Sequence, residues 1–174
     1  PFEWEQMKIE VLEALGRGDE AQEFCWSCFE RSLNGTHLRS YLKQLPDFDD
    51  MEAEERAMAH ALQYPSVHQS LNFLISWPSL DKVADLVLNR ADELDGDHYE
   101  VLTPAADALE GNHPLASTLL RRALIDFALA KARSKRYRHA ARHLQKCENL
   151  ADLIEGFGPY ETHEAYENRL KSEH

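Results

Sequence analysis

Apolar residues recur at three- and four-residue spacing through almost every segment of this chain, and strand-like alternation occurs in none. Breakers punctuate these runs at short intervals, so the sequence predicts an all-α protein of many short helices. An opening helix from Glu3 to Leu15 sets Met7, Val11 and Leu15 at i, i+4 and i+8, and Gly16 and Gly18 end it. Asp19 can cap a second helix carrying Ala21, Phe24, Cys25, Cys28 and Phe29, broken by Asn34-Gly35. A short helix from Thr36 carries Leu38, Tyr41, Leu42 and Leu45 up to Pro46.

Asp49 with Glu52 has the spacing of a capping box ahead of a helix over 50–63, which stops at Tyr64-Pro65. Ser66 with Gln69 repeats that logic before Val67, Leu71, Leu74 and Ile75, and Trp77-Pro78 closes the run. Ser79 begins a helix striped by Leu80, Val83, Val87, Ala91 and Leu94, followed by the turn Asp95-Gly96-Asp97. Tyr99 to Leu109 reads as helical with an interruption near Pro104, a residue suited to a first turn. Pro114 opens the longest helix, 115–133; another covers 137–155, and a charged one follows Thr162. Nine or ten helices on short connections pack as hairpins, and stacked hairpins make an α-solenoid. The 174 residues fit one helical-repeat domain over 1–174. Because the first residue is Pro1, that domain is expected to be part of a longer protein.

Ala116, Leu120 and Ala123 match the small-large-small spacing of the second helix in a tetratricopeptide unit, and Tyr137–Leu144 then fits the first helix of the next. Several phrases extend the comparison: 42–50 (LKQLPDFDD), 73–78 (FLISWP), 113–120 (HPLASTLL) and 136–144 (RYRHAARHL). Together they resemble the C-terminal region of a bacterial protein family of unknown function with tetratricopeptide-like helices. The resemblance covers nearly the whole chain. It implies a bacterial, cytoplasmic protein and carries no activity with it.

Charge narrows the function. The formal net charge is −12, which disfavours nucleic acid or an anionic membrane as partner of the whole molecule. From Arg121 to Lys146, however, nine Lys and Arg stand against one acid, Asp126, so this stretch is +8 and the remainder −20. Its centre, Lys131 to Arg138, covers a helix end and the next helix start. Cations favour a helix C-terminus, but nothing in the macrodipole favours them at an N-terminus. Three explanations stay open: an internal match to acids such as Glu52, Glu54, Glu55 or the last helix, a docking surface for an acidic partner, or a site for nucleic acid or another phosphate ligand, where Tyr137 offers one aromatic for stacking. Arg133, Lys135, Arg136 and Arg138 are the anchors expected in the second case.

Other constellations are read against their structural use. Cys25 and Cys28 have Cys-x-x-Cys spacing, but they lie mid-helix beside Phe24 and Phe29 with no strand before them, so they read as core. His139, His143 and Cys147 stand at i, i+4 and i+8, a spacing that can chelate a metal. Ala140, Leu144, Cys147, Ala151 and Ile154 form the apolar face of that helix, and arginines surround the histidines, so no metal is expected. The acidic clusters at 47–50 and 95–98 lack the twelve-residue calcium pattern and read as caps and turns. No phosphate loop, nucleophile elbow or His-Glu-x-x-His pair occurs. The three cysteines suit a reducing compartment, and no apolar run is long enough for a membrane span.

These observations lead to an expectation of a non-catalytic cytoplasmic scaffold without cofactor that binds a protein or peptide, acidic in character. The alternative is a supporting module of a longer protein whose catalytic or nucleic-acid-binding part lies outside these residues.

Overall fold

A computed structural model describes residues 1–132 and 134–174, and all the regular structure among these residues is helical. The chain divides into two compact units, Pro1–Pro78 and Ser79–His174.

The first unit contains α1 (Phe2–Ala14), α2 (Gly18–Ser32), α3 (Gly35–Lys43), α4 (Asp49–Gln63) and α5 (Val67–Ser76), each packed on its neighbour in the chain. Several boundaries follow local chemistry. Leu33 ends α2 in the left-handed region (φ 51°), and the Asn34 side chain then accepts from the Thr36 amide to start α3. Ser66 accepts from the Gln69 amide as its spacing predicts. The capping box at Asp49 does not form. Phe48, at φ 76°, takes the N-cap position without a side-chain bond, so Asp49, Asp50 and Glu52 lie inside the first turn and meet the positive end of the helix dipole.

The apolar stripe read for α1 is also corrected. Met7, Val11 and Leu15 are 63%, 56% and 64% exposed, and Ile9 is the buried residue of that helix. Glu5, Ile9 and Leu12 form the inward face, with Ile9 and Leu12 packed on Ala21 and Cys25. Phe29 stands at the centre of an aromatic group, its ring 5.5 Å from both Phe73 and Trp26. Burying each such side chain is worth about 1.5–3 kcal/mol.

The second unit contains α6 (Leu80–Arg90), α7 (Tyr99–Leu109), α8 (Pro114–Ala130), α9 (Tyr137–Ala151) and α10 (His163–Glu173). α6 stops at Arg90 and passes into a 3-10 turn over Ala91–Glu93, so Ala91 and Leu94 fall outside the expected stripe. Pro104 sits in the interior of α7 rather than its first turn. A proline there offers no N–H to the carbonyl four residues back. Burial of Leu102, Ala105, Ala106 and Leu109 offsets that loss. Small side chains let α7 and α8 approach closely, and the Ser117 hydroxyl donates across the seam to the Ala106 carbonyl at 2.7 Å. Ser70 does the same to Ala61 between α5 and α4, also at 2.7 Å. Ile125, Ala128, Ala140, Cys147, Tyr166 and Leu170 make a core shared by α8, α9 and α10.

Gly96 brings the loop before α7 against α8. A Cβ there would lie 2.2 Å from the Ala123 carbonyl oxygen and 2.5 Å from the Phe127 Cβ, so no other residue fits without displacing the loop.

Candidate functional site

A cleft of roughly 690 Å³ opens in the second unit between α7, α8 and α9. Helix α7 lines it with Glu100, Thr103, Pro104 and Asp107, and α8 with Arg121, Leu124 and Ala128. The 3-10 turn Ser134–Arg136 contributes Lys135 and Arg136. From α9 come His139, Arg142, His143 and Lys146, which stand at i, i+3, i+4 and i+7 and so share one face. One position on, Ala140, which also borders the cleft, and Cys147 are buried in the core.

Arg121 is the fixed point of this cleft. It is 1% exposed, on a helix otherwise buried by Ala116, Leu120 and Ile125. One end of its guanidinium, Nη2, donates to Asp107 Oδ1 at 2.9 Å and to Glu110. The other, Nη1, lies 3.0 Å from His143 Nδ1. Lys146 reaches the same two carboxylates, at 2.9 Å to Glu110 and 3.8 Å to Asp107. Asp107 of α7 and Glu110 at its C-cap therefore hold one buried and one half-exposed cation.

Arginine has only donors, so the Nδ1 of His143 must present its lone pair to Arg121 and carry its proton on Nε2. Burial, and then the Arg121 charge, push the His143 pKa down to about 4. At neutral pH this imidazole is uncharged.

Arg136 lies with its guanidinium 4.7 Å from the Tyr99 ring centroid and 5.2 Å from that of Phe127, and 3.4 Å from Asp97. Thus the basic stretch is partly matched inside its own unit, through Asp107 of α7, Glu110 at its C-cap and Asp97 in the turn before it. Its described cations do not pair with acids of α10. Lys135, Arg138 and Arg142 make no ion pair with any described residue. Lys135 and Arg142 line the cleft, Arg138 is exposed outside its lining, and Arg133 lies outside the described residues.

The metal trio suggested by spacing does not assemble. His139 and His143 line the cleft, whereas the Cys147 Sγ is buried 3.9 Å from the Thr118 carbonyl oxygen, its thiol pushed up to about 11 by burial. The ligand atoms of these three residues do not come within 4.8 Å of one another. Cys25 and Cys28 are both buried, and Cys25 donates to the His37 carbonyl at 3.1 Å. Asp95 accepts from the Asp97 amide at 2.9 Å, the turn chemistry expected of that cluster. No helix among the described residues is long and apolar enough to cross a membrane.

Periodicity did not reveal Arg121, Asp107 or Glu110 as site residues. Arg121 sits among apolar residues on α8, and its partners are 11 and 14 positions away on another helix. The available signal was an arginine inside a core-facing stripe, which requires a buried counter-charge.

The arrangement defines an all-helical protein with a cation-rich cleft in its second unit. The chain matches, over residues 1–174, a family described as a family of unknown function (DUF6880), and it belongs to that family. No curated protein and no solved structure matches it.

Proposed function

We propose that the protein is a non-catalytic cytoplasmic scaffold of tetratricopeptide-like helical hairpins, whose second unit docks an acidic segment of a partner protein. The carrying observation is the charge of the cleft: Arg121, Lys135, Arg136, Arg142 and Lys146 line it against two carboxylates, Glu100 and Asp107. Among the described residues Lys135 and Arg142 have no ion-pair partner to surrender, so a carboxylate-bearing chain gains their attraction without breaking an existing pair. Arg136, stacked on Tyr99, offers a pre-oriented donor fork. His143 is held uncharged with its lone pair engaged by Arg121, which disfavours a role as general base.

The hairpin reading draws support from the repeated seam, Ser70 to Ala61 in one unit and Ser117 to Ala106 in the other. Three free, buried cysteines fit a reducing compartment.

The test is a fluorescence-anisotropy titration with a labelled Glu-rich peptide, a neutral peptide of the same length and a single-stranded oligonucleotide of equal charge. The acidic peptide is expected to bind in preference to the other two. Lys135→Glu combined with Arg142→Glu is expected to weaken it by about 10-fold or more. Equal peptide binding by the double variant defeats the docking site. Tighter oligonucleotide binding that collapses with salt replaces it with a nucleic-acid module.

A further inference from the structure

We infer a zinc-binding site in the first unit, built by Glu5 of α1, Cys28 of α2 and His37 of α3. Among the described residues, this is the group whose thiol, imidazole and carboxylate ligand atoms all lie within 4.8 Å of one another. Three helices supply one ligand each, which is why no spacing in the sequence announces the site.

The geometry is close to what the ion needs. Zinc bonds of about 2.0–2.3 Å to N, O and S place tetrahedral ligands roughly 3.3–3.8 Å apart. Glu5 Oε2 already lies 3.0 Å from His37 Nε2. That pair widens slightly and the others, within 4.8 Å, close where needed, both by side-chain adjustment.

His37 is fully buried, and its Nε2 is the nitrogen bonded to Glu5. A cation already sits at this position in provisional form. Arg31 Nη2 lies 3.3 Å from Cys28 Sγ and 3.4 Å from Glu5 Oε1, bridging two of the three ligands. The Arg31 side chain is 63% exposed, so it can withdraw into water when a metal arrives.

The ligand set chooses the metal class. A thiolate with an imidazole and one carboxylate suits zinc and disfavours magnesium and calcium, which take oxygen ligands. On binding, Cys28 releases its thiol proton to solvent. The His37 proton moves from Nε2 to Nδ1, freeing the Nε2 lone pair for the ion. A water completes the fourth position, as in zinc sites with three protein ligands.

The experiment uses the whole chain, reduced and metal-free, titrated first with cobalt(II) and then with zinc(II) in competition. One equivalent of cobalt is expected to give a thiolate charge-transfer band in the near ultraviolet, which zinc then abolishes. Cys28→Ser is expected to remove the band, while Cys25→Ser and Cys147→Ser keep it. Glu5→Gln is expected to weaken zinc by about 10- to 100-fold, at least the loss typical of an outer-shell partner. Arg31→Ala keeps every ligand and removes the competing cation, so it is expected to bind zinc several-fold more tightly, a gain that unfolding cannot imitate. Absence of the band in the parent chain, its survival in Cys28→Ser, or unchanged or weaker zinc binding in Arg31→Ala would overturn the site.

Discussion

Arg121 Nη1 and His143 Nδ1 lie 3.0 Å apart, and because the arginine can only donate, the pair exists only while the imidazole is neutral. The His143 pKa is pushed down to about 4, whereas an unfolded histidine titrates near 6.5. Between those values the unfolded chain takes up a proton that the folded chain refuses. Stability contributed here is full above about pH 6.5 and is lost as pH falls towards 4. The expected size is about 1–3 kcal/mol. Chemical denaturation at pH 7 and pH 4.5, with His143→Gln as reference, checks it: the variant should show the smaller acid-side loss.

The two acids that hold Arg121 give a second, asymmetric expectation. Asp107 is more than half exposed and Glu110 about one-third exposed, so both can rehydrate if Arg121 is removed. Arg121 cannot do so at its depth. Arg121→Met is therefore expected to change stability by less than about 1 kcal/mol, while Asp107→Asn with Glu110→Gln strands a buried charge and costs about 3–5 kcal/mol. Urea midpoints of the two variants, compared in one buffer, separate these outcomes; equal losses would contradict the argument.

Gly96 is held to its identity by proximity. An added methyl group would overlap the Ala123 carbonyl and the Phe127 side chain, so Gly96→Ala is expected to destabilise by about 1–3 kcal/mol. The same substitution at Gly111, where a Cβ meets nothing within 4 Å, should be tolerated. Thermal melts of the two variants check the difference.

Tyr166 is fully buried, and its hydroxyl donates to Asp126 Oδ1 at 2.8 Å. Burial is the main reason its pKa rises, and the Asp126 charge adds to it. Tyr166→Phe keeps the ring and removes one bond to a charged acceptor, for an expected loss of about 1.5–3 kcal/mol. Asp126 retains Arg169 at 3.6 Å, which favours the lower end. The measurement is a denaturation midpoint, and no change would show that Asp126 is satisfied without the phenol.

Breakers and caps carried most of the helix pattern because they act locally: Asn34, Ser66, Pro114 and Thr162 do their work within three residues. Failures came where tertiary packing outweighed local preference. Pro104 is accepted inside α7 because the helix buries four apolar residues around it. Met7, Val11 and Leu15 have core-like spacing but face outward, since period alone does not say which of two stripes is covered. Lys135 and Arg136, which stand out in the sequence as part of a charge run, line the cleft. Their counterparts on α7, and the Glu5, Cys28 and His37 group, depend on helices distant in sequence and leave no spacing to read.

Helix α1 has one fully buried side chain, Ile9, with Leu12 packed beside it against α2, and it reaches α3 through the Glu5–His37 bond. A helix with one fully buried side chain is expected to open and exchange its amide protons before the rest of its unit. Glu5 rides on that helix, so each fraying event would carry one claw of the Glu5, Cys28 and His37 group away from the other two. A divalent ion gripped there would latch α1 shut, and hydrogen exchange along residues 2–14 would slow in step with metal occupancy.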